Sequence, residues 1–250
     1  MATYQADVAR LSELETFDPR AFVGGPDWPQ ALCDFVLALA LVYNDLKDII
    51  VAERMLSSVR PKDFETPTPE LGQFVGLRSH LFRNLAGLLH EFTSLVQRSE
   101  ALVKLPKFEA LVKNLPAAAR EAWFSVLAAA AEKPSSNPIA MLLVRARNKV
   151  AFHYDAEEIR RGYEHYFLGQ PSHEPYVSRG SSMAVARFYF VDAAAEAYMR
   201  NLIDTAAAEE FLTAATPLLH QINHPLRELV TRFVNARGFG WRTPYIPPTA

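Results

Sequence analysis

Long, unbroken stretches of this sequence place apolar residues three and four apart, and that spacing decides most of what the chain can fold into. Between Trp28 and Ser58 the series Leu32, Phe35, Leu39, Val42, Leu46, Ile49 and Ile50 keeps this interval. It lines one side of a helix with 3.6 residues per turn; a strand would alternate every second residue instead. A second series, Phe74, Leu77, Leu81, Leu85, Leu88, Phe92 and Leu95, predicts another long helix from about Pro69 to Arg98. Alanine and leucine dominate many such segments, and both favour helix intrinsically.

Proline and small polar residues punctuate the pattern. A short helix is expected from about Tyr4 to Leu14, then a loop through Asp18-Pro19 and Gly24-Gly25-Pro26. Asp27 before Trp28-Pro29 suits an N-cap with proline in the first turn. Arg60-Pro61 and Thr66-Pro67-Thr68-Pro69 separate the two long helices. Shorter helices are expected from Pro106 to Asn114 and from Pro116 to near Lys133-Pro134, the latter carrying Trp123, Phe124 and Leu127. Another runs from about Pro138 to His153. Asp155-Ala156-Glu157-Glu158 then reads as a capping box, which puts a boundary at Tyr154–Asp155 and a helix over Ala156 to Leu168.

Beyond Gly169 the pattern weakens into a loop to Ser182. Pro175-Tyr176-Val177-Ser178 and Ala186-Arg187-Phe188-Tyr189-Phe190 are open to two readings: a small β-hairpin within 176–190, or a loop whose second part opens a helix through Ala193 to Asn201. Asp204 or Thr205 caps a last helix to about Ala236, disturbed locally at Pro217 and Pro225. The aromatic, proline-rich tail from Gly238 to Ala250 is expected on the surface or on a partner. The expected fold class is all-α: an up-and-down helical bundle forming a single domain over 1–250, with a core over 28–168 and a C-terminal extension, 169–250, packed on it.

Composition narrows the setting. With 250 residues, 50% of them apolar, the chain is long enough for a substantial core. A formal net charge of -2 gives no bulk basic footprint for nucleic acid, although a local patch stays open. One cysteine, Cys33, excludes an internal disulfide and favours a cytoplasmic home. The first residues lack a basic start followed by an apolar stretch, so no signal peptide is expected. The longest apolar run, Phe35 to Tyr43, is too short for a bilayer, which needs about 20 residues, so no membrane association is expected. Neither a glycine-rich phosphate loop, a Ser–His–Asp signature nor a defensible carboxylate pair is evident, and no cofactor is expected.

One motif carries chemistry: Arg147-Asn148-Lys149-Val150-Ala151-Phe152-His153-Tyr154-Asp155. It resembles the signature of the HEPN family (higher-eukaryote and prokaryote nucleotide-binding domains), an arginine followed after four to six residues by a histidine, commonly with a polar residue directly after the arginine. Here five residues intervene and the polar residue is Asn148. The order of two long helices, shorter ones, then the motif at a helix end fits over roughly Trp28 to Leu168. Arg83-Asn84 with His90 is a second match, set aside because it lies mid-helix among Leu85, Leu88 and Leu89.

On an ideal helix Arg147 and His153 point about 120° apart, so one helix does not focus both on one atom. The resemblance implies that two copies pair and present both motifs in a shared cleft, as in HEPN proteins that cut RNA, some of them toxins held by an antitoxin. It implies a metal-independent endoribonuclease acting as a homodimer. Arg147 would hold phosphate oxygens in a fork, His153 would move a proton near neutral pH, and Asn148 would orient either. Lys149, Tyr154 and Arg145 would bind substrate beside them. The alternative is a non-catalytic helical dimerisation module that binds a nucleotide or a protein partner; Arg147 would then pair with Asp155 or Glu158, and His153 would cap the last helix carbonyls.

Three further groups invite a structural reading. Tyr43, Asn44, Asp45, Lys47 and Asp48 fit the solvated face of their helix better than a cleft. His220 and His224 share helical spacing with zinc ligands, yet no third ligand is near. Arg145, Arg147, Lys149, Arg160 and Arg161 lie close in sequence with Asp155, Glu157 and Glu158 among them, and form either a mildly basic rim for a phosphate chain or a mixed-charge face.

Overall fold

The computed structural model describes residues 16–63, 68–131, 143, 156–169, 174–177, 186–203 and 208–239. These residues form eight α-helices, with no strand among them, so the protein is all-α as its periodicity requires. In chain order the helices are α1 (Gln30–Ser57), α2 (Pro69–Arg98), α3 (Glu100–Val103), α4 (Pro106–Lys113), α5 (Ala117–Ala130), α6 (Ala156–Tyr163), α7 (Tyr189–Ile203) and α8 (Ala208–Ala236). A 3₁₀ turn, Pro19–Phe22, precedes α1, and a π-helical turn, Glu164–Leu168, continues α6. No helix among the described residues is long and apolar enough to cross a membrane.

The chain gathers into two compact units built from separate stretches. Unit one comprises Met1–Asp48, Phe92–Ala140 and Leu218–Ala250; unit two comprises Ile49–Glu91 and Met141–Pro217.

In unit one, α1 buries Leu32, Phe35, Leu39, Val42 and Leu46, the residues its spacing selects. The buried Phe108 ring of α4 lies 5.6 Å from that of Phe35 and 5.8 Å from that of Trp123, which joins α1, α4 and α5 through one chain of rings. Each fully buried large apolar side chain contributes about 1.5–3 kcal/mol relative to exposure. Helix α8 buries Leu219, Ile222, Leu226, Leu229 and Phe233. Its helical run passes Pro217 and Pro225 without a break, although each proline removes a backbone donor. Burial on both sides of Pro225 offsets that local loss.

Helix α1 starts at Gln30 rather than Trp28, and Asp27 is not its N-cap. Gly25 and Trp28 exchange two backbone hydrogen bonds of 2.9 and 3.2 Å, closing a tight turn over Pro26 and Asp27. The Pro29 carbonyl then accepts from Leu32 and Cys33 and begins the helix. Arg237, just past α8, clamps this entry. Its guanidinium donates to Cys33 Sγ at 2.9 Å and to the Val23 carbonyl at 2.6 Å, and stacks over Trp28 and Phe233.

In unit two, the start of α7 packs on α2 at Gly72 and Gly76, and α6 packs with its π turn against α7. Tyr189 and Phe190 open α7, while residues 186–188 lie before it and residues 174–177 carry no regular structure; residues 178–185, which the hairpin reading also needs, lie outside the described residues. The expected helices over Tyr4–Leu14 and Pro138–His153 lie outside the described residues, apart from helical, fully buried Leu143. The proposed caps Asp155, Asp204 and Thr205, and the tail from residue 240, also lie outside them.

Candidate functional site

The residues on which the sequence places the chemistry, Arg147, Asn148 and His153, with Arg145, Lys149 and Tyr154 beside them, lie outside the described residues. Their flanks are described. Leu143 is fully buried, and α6 is described from Ala156 onward; the expected boundary at Tyr154–Asp155 lies outside the described residues.

On α6 the arginines do not form a free basic rim. Arg160 pairs with Glu164 at 2.5 Å and Arg161 with Glu157 at 2.7 Å, each one helical turn away. This is a mixed-charge solvent face, where such pairs contribute little.

The second arginine–histidine match can be judged directly. Arg83 donates to Ser79 Oγ at 2.9 Å and pairs with Asp192 at 3.4 Å. Its side chain is only 22% exposed, so it is held inside the fold. Asn84 instead meets His80 at 3.0 Å on the exposed side. His90 lies seven residues after Arg83 in the middle of the same helix.

Arg83 is part of a cluster that sequence reasoning missed. Asp192 on α7 takes Arg83 from α2 and also Arg187, at 2.9 Å. Arg187 reaches Gln73 at 3.3 Å and lies where a Cβ on Gly76 would be. The Tyr189 hydroxyl donates to the Pro69 carbonyl at 2.9 Å, its ring lying over Gly72. Gly72 and Gly76, one turn apart on a helix, were the available signal: small residues at that spacing let another segment approach closely. The cluster docks α7 on α2. Nearby, burial and the neighbouring Tyr189 and Tyr166 push the Tyr176 hydroxyl above its ordinary pKa.

Unit one holds a groove of about 870 Å³ between α5 and the α3–α4 segment. Val112, Trp123, Phe124 and Leu127 are among its apolar lining, and Lys104, Lys113, Arg120, Glu100 and Glu109 are among its polar lining. Lys104 pairs with Glu100 at 2.6 Å, and Arg120 donates to the Lys113 carbonyl at 3.2 Å. Phe124 is 53% exposed, while Trp123 is fully buried with its Nε1 donor unpartnered among the described residues. Sequence reasoning named Trp123 and Phe124 only as helix residues, since spacing along one helix does not reveal a groove between several.

The remaining candidates read as structure. Asn44, Asp45, Lys47 and Asp48 are exposed along α1, and Tyr43 is half-buried there, its carbonyl accepting from Asn223 of α8 at 3.3 Å. His220 is exposed and His224 half-buried; among the described residues no group of three His, Cys, Asp or Glu is placed to hold a metal ion. Cys33 is buried, and its thiol pKa is raised, chiefly by burial, although the adjacent Arg237 lowers it. A buried thiol with a raised pKa is a poor nucleophile.

Comparison with models of known families, with curated proteins and with solved structures gives no match to this chain.

Proposed function

We propose that this chain is a HEPN-like protein that cleaves RNA without a metal ion, as a cytoplasmic homodimer, in a toxin or defence setting with an antitoxin or other protein partner. The observation that carries the proposal is the spacing of Arg147-Asn148 and His153 immediately before α6. The all-α character of the described residues supports it, since the HEPN fold is helical. So does the fate of the competing match: Arg83 is consumed by Asp192 and Ser79, which leaves Arg147 and His153 as the pair to test.

RNA supplies its own nucleophile, so the protein must move protons and hold charge. The 2′-oxygen attacks the adjacent phosphorus and gives its proton to one His153. The bond from phosphorus to the 5′-oxygen breaks, and that oxygen takes a proton from the partner's His153. The products are a 2′,3′-cyclic phosphate and a free 5′-hydroxyl. Arg147 stays charged and matches two phosphate oxygens at once, stabilising the charge that builds on them. Asn148 orients the phosphate or the imidazole, and Arg145, Lys149 and Tyr154 bind the flanking chain.

A second reading, a non-catalytic helical module that binds a nucleotide or a protein partner, is favoured by the apolar groove of unit one. Incubating a mixed RNA pool in EDTA with wild type and His153→Ala separates the two. Loss of cleavage in the variant supports the nuclease, and no cleavage by either supports the module.

A further inference from the structure

We propose that the groove of unit one seats the exposed face of α1 from a second copy of the chain. The α5 wall of the groove runs from Arg120 to Ala131, about 16 Å at 1.5 Å per residue. The groove, of about 870 Å³, is open along that wall, as a helix laid in by one face requires.

Helix α1 carries a face that suits it. Asp34, Leu37, Leu41, Asp45 and Asp48 follow one another at intervals of three or four and fall within about 80° on a helical projection. All five are exposed, Leu37 by 46% and Leu41 by 61%. A single exposed leucine needs no explanation. Two in line, bracketed by carboxylates and opposite a buried stripe, form an amphipathic ridge. Its leucines match the apolar floor at Trp123, Phe124 and Leu127.

The charges are complementary. The α1 face presents three carboxylates: Asp34 accepts from Gln30, Asp48 is shared with Lys47 at 3.3 Å, and Asp45 has no ion pair among the described residues. Around the groove, Lys104 is neutralised by Glu100, and Glu109 is the remaining anion. Lys113 and Arg120 stand together with no carboxylate partner among the described residues. Asp45 of the incoming helix meets this basic end. Every copy carries both surfaces, and in the proposed dimer the contact is made twice about a two-fold axis.

This inference rests on the pairing of two copies proposed above. Its test reads assembly without RNA, so its failure is distinct from failure of the cleavage chemistry. Sedimentation equilibrium of the full chain would compare wild type with Arg120→Glu, Lys113→Glu, Asp45→Arg and the combined Asp45→Arg/Arg120→Glu, with circular dichroism confirming helicity. Wild type is expected to dimerise, each single reversal to weaken the dimer about tenfold or more, and the combination to recover most of the loss. A monomeric wild type, single reversals without effect, or a combination no better than its parts would each overturn the proposal.

Discussion

The ring of Tyr189 fills the space that a side chain at position 72 would need: a Cβ on Gly72 would fall 2.2 Å from its Cε1 and Cζ. The same ring carries the hydroxyl that holds the Pro69 carbonyl at 2.9 Å. Gly72→Ala would gain about 1 kcal/mol of helix preference. Displacing the ring costs about 1–3 kcal/mol, and losing its hydrogen bond about 1 more. A net loss of stability is expected in urea unfolding. Gly25→Ala, with nothing within 4 Å of the new Cβ, serves as the near-neutral control.

Asp192 binds two guanidiniums, and that should make it cost more to remove than either partner. It is 15% exposed, against 22% for Arg83 and 21% for Arg187. Asp192→Ala strands two partly buried cations and should cost about 1–3 kcal/mol, below the range for a fully buried pair. Arg83→Ala should cost less, and the double variant less than the sum of the two. A double-mutant cycle by urea unfolding measures that coupling.

Much of this packing was legible in the sequence, and the misses have specific causes. Helix α2 spans the expected Pro69–Arg98, because Thr68-Pro69 gives an unambiguous start. Thr68 Oγ1 accepts from the Leu71 amide at 3.1 Å. Its buried side, however, runs Leu71, Phe74, Phe82, Leu85, Leu89, Phe92 and Val96, while Leu77 is 46% exposed. Several apolar rows on α2 compete, and only the neighbours decide which is covered. Short α3 and the π turn were missed because neither leaves a periodic signal in so few residues. The Arg83–Asp192–Arg187 cluster joins positions more than 100 residues apart, which no local pattern encodes. Of the candidate site, the motif at 147–153 is a sequence finding alone, and the groove of unit one is a structural finding alone.

The Cys33 thiol gives a pH dependence with a fixed sign. Its pKa is raised in the folded protein, chiefly by burial, so the folded state holds the proton longer than the unfolded chain. Its contribution is fully present below the ordinary thiol value of about 8.5 and is lost as pH rises through the folded value. Stability from urea unfolding should therefore start to fall above about pH 8.5, and Cys33→Ala should flatten that part of the curve. Tyr176 adds a further decline with the same sign above about pH 10. Arg237→Ala removes the cation that lowers the folded thiol pKa, so the Cys33 decline should keep its onset but deepen and extend to higher pH, on a lower overall stability.

In the proposed nuclease Arg147 and His153 carry the chemistry and the similar residues of α2, Arg83 and His90, do not. The direct measurement is cleavage of a mixed RNA pool in EDTA by wild type, Arg147→Ala, His153→Ala and His90→Ala, with folding and assembly verified for each. The account predicts cyclic-phosphate products from wild type and His90→Ala, and a loss of 100-fold or more, of the order expected for a proton-transfer group, from Arg147→Ala and His153→Ala. Equal cleavage by all four proteins, or its loss in His90→Ala alone, would contradict it.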